Sequence, residues 1–438
     1  MALIRALNSG VSGLRSFQTK MDVIGNNIAN VETAGFKASR VTFAELMNQR
    51  LGRADAGGES SPQTNNQVGL GVRVASIDRD FSQGVMQSTG RGTDLAIDGR
   101  GYFLVHGQAQ NYLTRAGNFV FNKDGFLVDP GGRFVQGYTA DRDGNVQPGG
   151  RTDNIRVDFE NVFQPRETSE VVITGNLSGD EGTSRVMSTT IYDSLGNAHS
   201  VVIEFTKQPV DPANPDDTQN LWSYDIKFAD FDPQPGPPLD GTDGFVRFGP
   251  DGNLLGTCDA QGVLDVPASS ELSIGNFDPD NGADILDFTI HLGKEDQGVG
   301  FSQYAGSNTA KVLSQDGYGQ GQLLDVAIDG EGRLVGIYNN GQNQTLAQIA
   351  IAQVQNDNGL DMLGGGLFRP TSAAGELFIT SAESLAETSI NSGNLEGSNV
   401  DLAKEFTEMI TSQRAYQSNA RVISTADDML MEAVNLKR

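Results

Sequence analysis

The sequence predicts a mixed fold: long α-helical termini that pair as a coiled coil, with mainly β middle domains between them. Three observations predict it. All 15 prolines lie between Pro62 and Pro370, so both ends are free to be helical. Glycine accounts for 54 of 438 residues, which is typical of a turn-rich β protein. The apolar residues change from helical spacing at the ends to alternation in the middle.

The first segment predicts an amphipathic helix, because its apolar residues recur at steps of three or four. They are Leu3, Leu7, Val11, Leu14, Phe17, Met21, Ile24 and Ile28. No core lies nearby to cover this face, and Gly10 and Gly13 each cost about 1 kcal/mol relative to alanine. We therefore expect this end to be mobile in the monomer and to become ordered when copies assemble.

The stretch NNIANVETAGFK, residues 26–37, predicts a fixed turn where this helix ends. Side chains of Asn26, Asn27 and Asn30 are expected to hydrogen-bond to the backbone, and Gly35 to permit the turn. Thr33 and Phe36 belong to the same predicted exit turn.

The last segment predicts a second helix, of about 60 Å at 1.5 Å per residue. Ser398 and Asp401 form a capping signal ahead of it, with Asn399 as a competing cap. The predicted stripe includes Leu402, Phe406, Met409, Gln413, Tyr416, Ala420, Ile423, Ala426, Leu430 and Val434. A two-helix pair buries only one face of each helix, so we expect apolar surface to remain for other copies.

Short strands and tight turns are predicted between the two ends. Asp-Gly pairs at Asp98, Asp124, Asp143, Asp251, Asp316 and Asp329 are hairpin signals, because glycine accepts positive φ. Residues 95–105 and 326–336 resemble each other and predict one β domain split by an insertion. In the insertion, Trp222, Tyr224, Ile226 and Phe228 alternate, as do Leu286, Phe288, Ile290 and Leu292, which predicts a β sandwich or barrel.

The resulting domain plan is nested. The helical core takes residues 1–30 and 399–438, a connecting segment 31–70, the split inner β domain 71–155 and 306–398, and the inserted outer β domain 156–305.

Charge and composition exclude several classes of function. The net charge is −25, which argues against nucleic acid or an anionic membrane as the main partner. The first 50 residues carry +3 and residues 399–438 carry −1, so −27 belongs to the middle of the chain. A single cysteine, Cys258, allows no internal disulfide. The sequence has neither a cleaved secretory signal pattern nor an apolar run long enough to span a bilayer, so we expect no membrane insertion.

Neither catalysis nor a cofactor is predicted. Residues 141–145 and 278–284 hold clustered carboxylates, but neither completes a calcium loop, and plain turns are the favoured interpretation. His106, His199 and His291 are separated singletons. The sequence lacks the nucleophile elbow and the phosphate-binding loop, and Cys258 has no neighbouring cation to activate it.

Several separate motifs occur in the order found in bacterial flagellar axial proteins of the rod and hook. Residues 8–37 and 398–430 resemble the terminal signatures of that family. The stretches GLGVRV, STGRGTDLAIDGRGYFLV and YLTRAGNFVFNKDGFLVDPGGRFVQGY are similar to its inner β domain. The large insertion and total length favour the hook members of the family over the shorter distal rod members.

The resemblance implies a subunit that assembles with copies of itself into a hollow helical tube, the flexible joint that transmits torque from rod to filament. The terminal helices would form the innermost layer. Implied partners are the distal rod protein, the hook cap, the hook–filament junction protein and the flagellar type III export apparatus. The implied location is extracellular, in the hook and basal body, reached without a cleaved signal peptide.

Three features leave alternatives open. The polar segment 51–69 resembles distal rod proteins and favours a stiffer tube. Phe43 and Met47 resemble a short export-recognition element, although a packed helical turn explains them at least as well. A secreted β-rich binding protein or hydrolase with a helical stalk is the remaining alternative, from a different functional class.

Overall fold

A computed structural model describes residues 2–50, 67–107, 110–141, 144–160, 162–180, 182–210, 219–229, 241–265, 269–293, 300–385 and 387–435. Two α-helices lie at the ends of the chain: α1 (Ala2–Ala29, 28 residues) and α2 (Leu402–Asn435, 34 residues). At 1.5 Å per residue α2 is about 51 Å long. Three single-turn 3₁₀ helices span Asp357–Gly359, Ser372–Ala374 and Ala382–Ser384. The predicted class, helical ends around a mainly β middle, is confirmed.

The strands are short and follow one another closely along the chain. Those before residue 160 are β1 (Ser39–Glu45), β2 (Asn48–Arg50), β3 (Gln67–Gly69), β4 (Val72–Arg79), β5 (Met86–Ser88), β6 (Leu95–Asp98), β7 (Tyr102–His106), β8 (Asn111–Thr114), β9 (Val120–Phe121), β10 (Leu127–Val128), β11 (Phe134–Thr139) and β12 (Asp153–Asn154). The next are β13 (Val162–Phe163), β14 (Glu170–Ser178), β15 (Ser184–Tyr192), β16 (Ala198–Lys207), β17 (Leu221–Phe228), β18 (Asp243–Phe248), β19 (Leu254–Cys258), β20 (Glu271–Phe277), β21 (Leu286–Leu292), β22 (Phe301–Tyr304), β23 (Lys311–Gln315) and β24 (Gly321–Ile328). The last are β25 (Arg333–Tyr338), β26 (Asn343–Val354), β27 (Leu360–Gly364), β28 (Leu367–Pro370), β29 (Leu377–Ser381), β30 (Ser389–Ser392) and β31 (Asn394–Glu396).

The chain divides into two compact units. The first unit comprises residues 1–159, 325–336 and 343–438, and the second comprises 160–324 and 337–342. The two similar stretches, 95–105 and 326–336, both lie in the first unit.

The first unit contains an antiparallel sheet, the β1–β4 ribbon and the pair of helices. The strands of this sheet run in the order β26-β11-β7-β8-β28-β27, and β29 pairs with β26. One part of its core contains Tyr102, Leu104, Leu113, Leu360 and Phe368. Two small pairings, β30 with β6 and β31 with β5, attach the chain that leads into α2 to this sheet region.

The second unit is a β sandwich. One sheet has the order β20-β21-β14-β22, with β23 also on β14, and the other has the order β15-β16-β17-β18-β19. Both sheets contribute to one apolar core that includes Phe205, Trp222, Phe248, Phe277 and Phe301. The alternating segments are β17 and β21, and between the predicted sandwich and barrel the structure has the sandwich.

The observed units differ from the predicted nested domain plan at several points, including residues 156–159, which lie in the first unit, and 337–342, which lie in the second. Residues 306–324, expected in the split inner domain, belong to the second unit, because β23 pairs with β14 there. Residues 31–70, expected to connect, instead contribute strands: β1 pairs with β4, and β2 with β3. Residues 51–66 of the predicted polar segment lie outside the described residues.

The structure has hairpins at some of the predicted Asp-Gly positions and not at others. Strands on either side of Asp124 and Asp251 pair with each other. The strands around Asp98 do not pair together, because β6 pairs with β30 and β7 with β8. Gly99 has φ +103°, and a Cβ there would lie 2.1 Å from the Glu387 carbonyl oxygen. This glycine therefore permits close backbone contact where the chain changes partners.

Candidate assembly surface

The two helices pair antiparallel along a seam. Lys20 of α1 forms a salt bridge of 3.1 Å with Glu408 near the start of α2, whereas Gly10 lies against Ile423, further along α2. On α2 the seam-facing residues recur at steps of three and four, which is the spacing of a coiled coil. They are Glu405, Met409, Ser412, Tyr416, Asn419, Ile423, Ala426 and Leu430, all buried or half-buried.

Two glycines of α1 let α2 approach closely. A Cβ at Gly10 would lie 3.0 Å from Ile423 Cγ1, and one at Gly13 would lie 2.8 Å from Asn419 Nδ2. Both glycines are buried. Their cost in helix propensity is therefore offset by a contact between the helices that a larger residue would obstruct.

A second apolar row of α2 remains exposed, and we call it the outer face. It consists of Leu402, Phe406 and Ile410, near the start of α2. Phe406 is 50% exposed and Ile410 is 52% exposed. At 3.6 residues per turn this row lies about 100° around the helix from the seam.

The predicted stripe of α2 is thus divided between two faces. Met409, Tyr416, Ile423, Ala426 and Leu430 lie on the seam, whereas Leu402, Phe406, Gln413, Ala420 and Val434 are exposed. The prediction of one continuous stripe is corrected here. The reason is that the seam includes Glu405, Ser412 and Asn419, polar residues that an apolar pattern does not reveal.

The predicted residues of α1 lie mostly inside the unit. Ile24 is buried, and Leu7, Val11, Leu14, Phe17, Met21 and Ile28 are half-buried. Leu3 belongs to α1, and its side chain is outside the described part of the structure. The expectation that no core lies nearby is corrected by the ribbon of β1 and β4, which packs on this helix.

Contacts between α1 and the β1–β4 ribbon are both apolar and polar. The Phe17 and Phe43 rings lie 5.6 Å apart, centroid to centroid. The Val72 N–H donates to Ser12 Oγ at 3.2 Å. Phe43 is 37% exposed within β1, and Met47 is 82% exposed. The two proposed export residues therefore lie on and beside a strand, not in a helical turn.

The exit turn of α1 is held by side chains. Asn27 Nδ2 donates to the Ser39 carbonyl at 2.8 Å, and its Oδ1 accepts from the Ser39 N–H at 3.0 Å. Asn30 Nδ2 donates to the Asn26 carbonyl at 2.9 Å, so Asn26 contributes its backbone. The Thr33 hydroxyl donates to Asn30 Oδ1 at 3.2 Å.

Gly35 ends this turn in the left-handed region, with φ +68°. Its N–H donates to the Glu396 carbonyl at 2.7 Å, and a Cβ there would lie 2.7 Å from the Ala116 nitrogen. The next residue, Phe36, is buried. Glycine is therefore needed both for the backbone conformation and for space.

A buried ionic cluster joins the connections of both helices. Lys37 Nζ lies 2.6 Å from Glu396 Oε1, and Arg115 Nη1 lies 3.3 Å from Glu396 Oε2. The Gly84 N–H also donates to Glu396 Oε1 at 2.9 Å. Burial lowers the pKa of Lys37, and the Glu396 carboxylate opposes this.

The start of α2 is fixed by two residues with different roles. Asp401 is the cap, because its Oδ1 accepts from the Ala403 N–H at 2.9 Å and the Lys404 N–H at 3.2 Å. Asn399 instead accepts from the Ala38 N–H at 2.8 Å and donates to the Asp80 carbonyl at 2.8 Å. Its side chain thus ties the start of α2 to the segment that leaves α1.

The acidic clusters considered for calcium, and Cys258, lie in turns and in the protein interior. Within the described ranges no group of three His, Cys, Asp or Glu side chains is arranged to hold a metal ion. Asp141 accepts from the Asn145 N–H at 2.8 Å and Asp278 from the Asp280 N–H at 3.0 Å, as in side-chain turns. Burial raises the pKa of Cys258 to about 11.

Neither helix is a membrane span: among the residues described, none forms a helix with the length and apolar character that crossing would require.

Four family models match successive parts of the chain. "Flagella basal body rod protein" matches residues 7–37, "Flagellar hook protein FlgE/F/G D1 domain" matches 96–176, "Flagellar basal body protein FlaE D2 domain" matches 174–318, and "Flagellar basal body rod FlgEFG protein C-terminal" matches 391–436.

Three curated relatives are similar along their whole length. The flagellar hook protein FlgE of Treponema pallidum is 33% identical, with 100% of both chains covered. The protein of the same name from Borreliella burgdorferi is 35% identical, over 99% of this chain and 100% of its own. That of Escherichia coli is 31% identical, over 99% and 100%.

Proposed function

The chain belongs to the flagellar hook protein family, and from that premise we propose that α1 and α2 carry the contacts that join its copies into the hollow helical hook. It is a structural subunit of the hook. The distal rod alternative is not favoured, because the relatives that match this chain along its full length are hook proteins.

The observation that carries the proposal is the outer face of α2. It presents three large apolar side chains, Leu402, Phe406 and Ile410, that are 40–52% exposed in the described chain. Fully burying one such side chain contributes about 1.5–3 kcal/mol. A contact between this face and a different patch on the next copy is heterologous, and its repetition without closure builds a helical tube.

The remaining roles follow the family resemblance. The helices form the innermost layer of the tube, the split β domain the middle layer and the sandwich the outer layer. The exit turn at Asn27 and Gly35 directs the chain from the first layer to the second. The tube acts as the flexible joint that transmits torque from rod to filament.

We propose further partners on the same basis. The subunit contacts the distal rod protein, the hook cap and the hook–filament junction protein. It reaches the cell exterior through the flagellar type III export apparatus, with Phe43 and Met47 as its recognition element. Exposure of both side chains supports that last assignment, because a recognition element must be accessible.

Electron microscopy of the purified full chain under assembly conditions tests the proposal. We expect hollow tubes from the full chain and none from a chain lacking residues 399–438. The near-ultraviolet circular dichroism of the truncated chain serves as control, because the sandwich core should remain packed. Normal tubes from the truncated chain, or no tubes from the full chain, would contradict the proposal.

A further inference from the structure

A large polar groove lies in the first unit. Its volume is about 970 Å³, and its walls come from α1, α2, the β1–β4 ribbon and the start of β7. The apolar side chains at its surface are few, and Phe81 is one of them. The groove is therefore suited to a charged or hydrogen-bonding partner.

Basic residues are concentrated around this groove. In the whole chain 56 acidic residues outnumber 31 basic ones, but the groove reverses this ratio. Its basic residues are Lys20, Arg40, Arg79, Arg100, Arg115 and Lys404, against four acidic ones, Asp80, Asp357, Glu405 and Glu408.

Each of the four carboxylates already has a partner. Asp80 accepts from the Ser82 N–H at 2.9 Å, and Asp357 from the Tyr102 hydroxyl at 2.8 Å. Glu408 pairs with Lys20 at 3.1 Å, and Glu405 is hydrogen-bonded by the Asn27 side chain. Hence all four carboxylates of the groove already have partners within the same chain.

Four of the basic residues are not paired in this way. Arg40, Arg79, Arg100 and Lys404 form no salt bridge with any carboxylate that the structure describes, although over longer distances Asp361 attracts Arg79, and Asp80 and Glu405 attract Lys404. Arg40, Arg100 and Lys404 are exposed. The positive charge of the groove is therefore available to a partner.

Arg115 adds a buried donor beside these cations. It is 6% exposed, and its Nη atoms bond to Glu396 and to the Ile97 and Gly99 carbonyls. Its Nε has no hydrogen-bond partner among the described residues.

We propose that this groove is an interface that receives carboxylate side chains of a second copy of this chain. The inference rests on the proposed function, which brings many copies into contact. Charge complementarity selects the occupant: the middle of the chain carries −27, so each neighbouring copy presents an acidic surface to a cationic groove. Contacts here would fix the orientation of adjacent subunits, while the outer face of α2 supplies apolar burial.

Charge reversal tests the groove. In the double variant Arg40→Glu with Arg100→Glu we expect the critical concentration for tube formation to rise about tenfold or more, because like charges then face each other. Raising NaCl should weaken assembly of the unaltered chain more than that of this variant. The matched control, Arg91→Glu with Lys123→Glu, changes the same charge at exposed positions away from the groove and should assemble normally.

Zero-length cross-linking identifies the occupant without any substitution. Tubes are formed from a mixture of ¹⁵N-labelled and unlabelled copies, treated with a carbodiimide and analysed by mass spectrometry. We expect mixed-label peptides that join Lys404 to a carboxylate of another copy. Cross-links of Lys404 only within one chain would overturn the proposal. The same result is expected if the groove holds only inorganic phosphate.

The two failures are distinguishable. If the full chain forms no tubes, the proposed function fails and this inference fails with it. If the full chain forms tubes and the Arg40, Arg100 double variant forms them at the same concentration, the groove inference alone is overturned.

Discussion

The ammonium group of Lys37 lies 2.6 Å from a carboxylate oxygen of Glu396, with only 2% and 0% of the two side chains exposed. These residues are 359 positions apart in the sequence. Lys37 directly follows the exit turn of α1, and Glu396 closes the strand that precedes α2. Because Arg115 contacts the same carboxylate, one buried acid fastens both helix connections to the β sheet region.

Replacing Glu396 should destabilise the first unit. Glu396→Ala leaves Lys37 and Arg115 as buried cations without their shared partner, and breaking a buried pair in this way costs about 3–5 kcal/mol. This loss of stability is checked by measuring the free energy of unfolding, using urea denaturation followed by far-ultraviolet circular dichroism. Glu387→Ala removes an exposed carboxylate nearby and should change little. Equal stability of the two variants would contradict the account.

Adding a methyl group in the helix seam should weaken helix pairing. Gly10→Ala and Gly13→Ala gain helix propensity, but their Cβ atoms meet Ile423 and Asn419, and overpacking costs about 1–3 kcal/mol. We therefore expect both variants to lose their helical circular dichroism signal at a lower temperature than the unaltered chain.

Gly25→Ala is the matched control for the seam. Gly25 lies in the same helix, and nothing lies within 4 Å of a Cβ built there. This variant should gain up to about 1 kcal/mol from propensity alone. If all three alanine variants were equally stabilised, close approach of the helices would not be the role of Gly10 and Gly13.

The second unit should lose stability in acid through Asp193. Burial by itself would raise the pKa of Asp193, but hydrogen bonds from Asn197, Asn281 and His199 hold it at about 2. The stabilisation is therefore present above the unfolded pKa, about 3.9, and is lost as pH falls towards 2. This stabilisation amounts to roughly 2–3 kcal/mol.

Asp193→Asn should flatten the acid dependence of stability between pH 4 and pH 2, because the titrating group is removed. Urea denaturation at a series of pH values, followed by tryptophan fluorescence, reports on this unit, since Trp222 lies in its core. Asp284→Asn, an exposed position in the neighbouring loop, is the control. An unchanged pH profile in Asp193→Asn would refute the assignment.

A charge on the outer face of α2 should stop assembly without unfolding the monomer. Phe406→Glu places a carboxylate where the proposal puts apolar contacts between copies, and burying it without a partner is unfavourable. Sedimentation of polymerised protein measures the effect. Ser418→Glu adds the same charge on an exposed part of α2 away from the outer face and should still polymerise.

The sequence predicted the helices and many strands because their signals are local. Apolar spacing identified both ends, and alternation from Trp222 to Phe228 identified β17. Asp-Gly pairs predicted hairpins at Asp124 and Asp251, but failed at Asp98, because the strands that follow and precede it pair elsewhere. Pairing between distant strands leaves no mark in a short stretch of sequence.

The candidate site was predictable only in part for the same reason. Helical spacing cannot tell which apolar face of α2 meets α1, since Phe406 and Ile423 satisfy it equally. Glu396, Arg115 and Lys37 gave no signal, because their partners are hundreds of residues apart. The buried Glu405 on the seam was missed because it is charged.

The central claim is that the helical ends are incomplete in one copy and are completed by others. Hydrogen exchange of α1 and α2 amides, compared between dilute monomer and assembled tubes, tests it most directly. The account predicts weaker protection of both helices in the monomer than in the tubes, with the core strands of the sandwich protected equally in both. Equal, strong protection of both helices in the dilute monomer would contradict it.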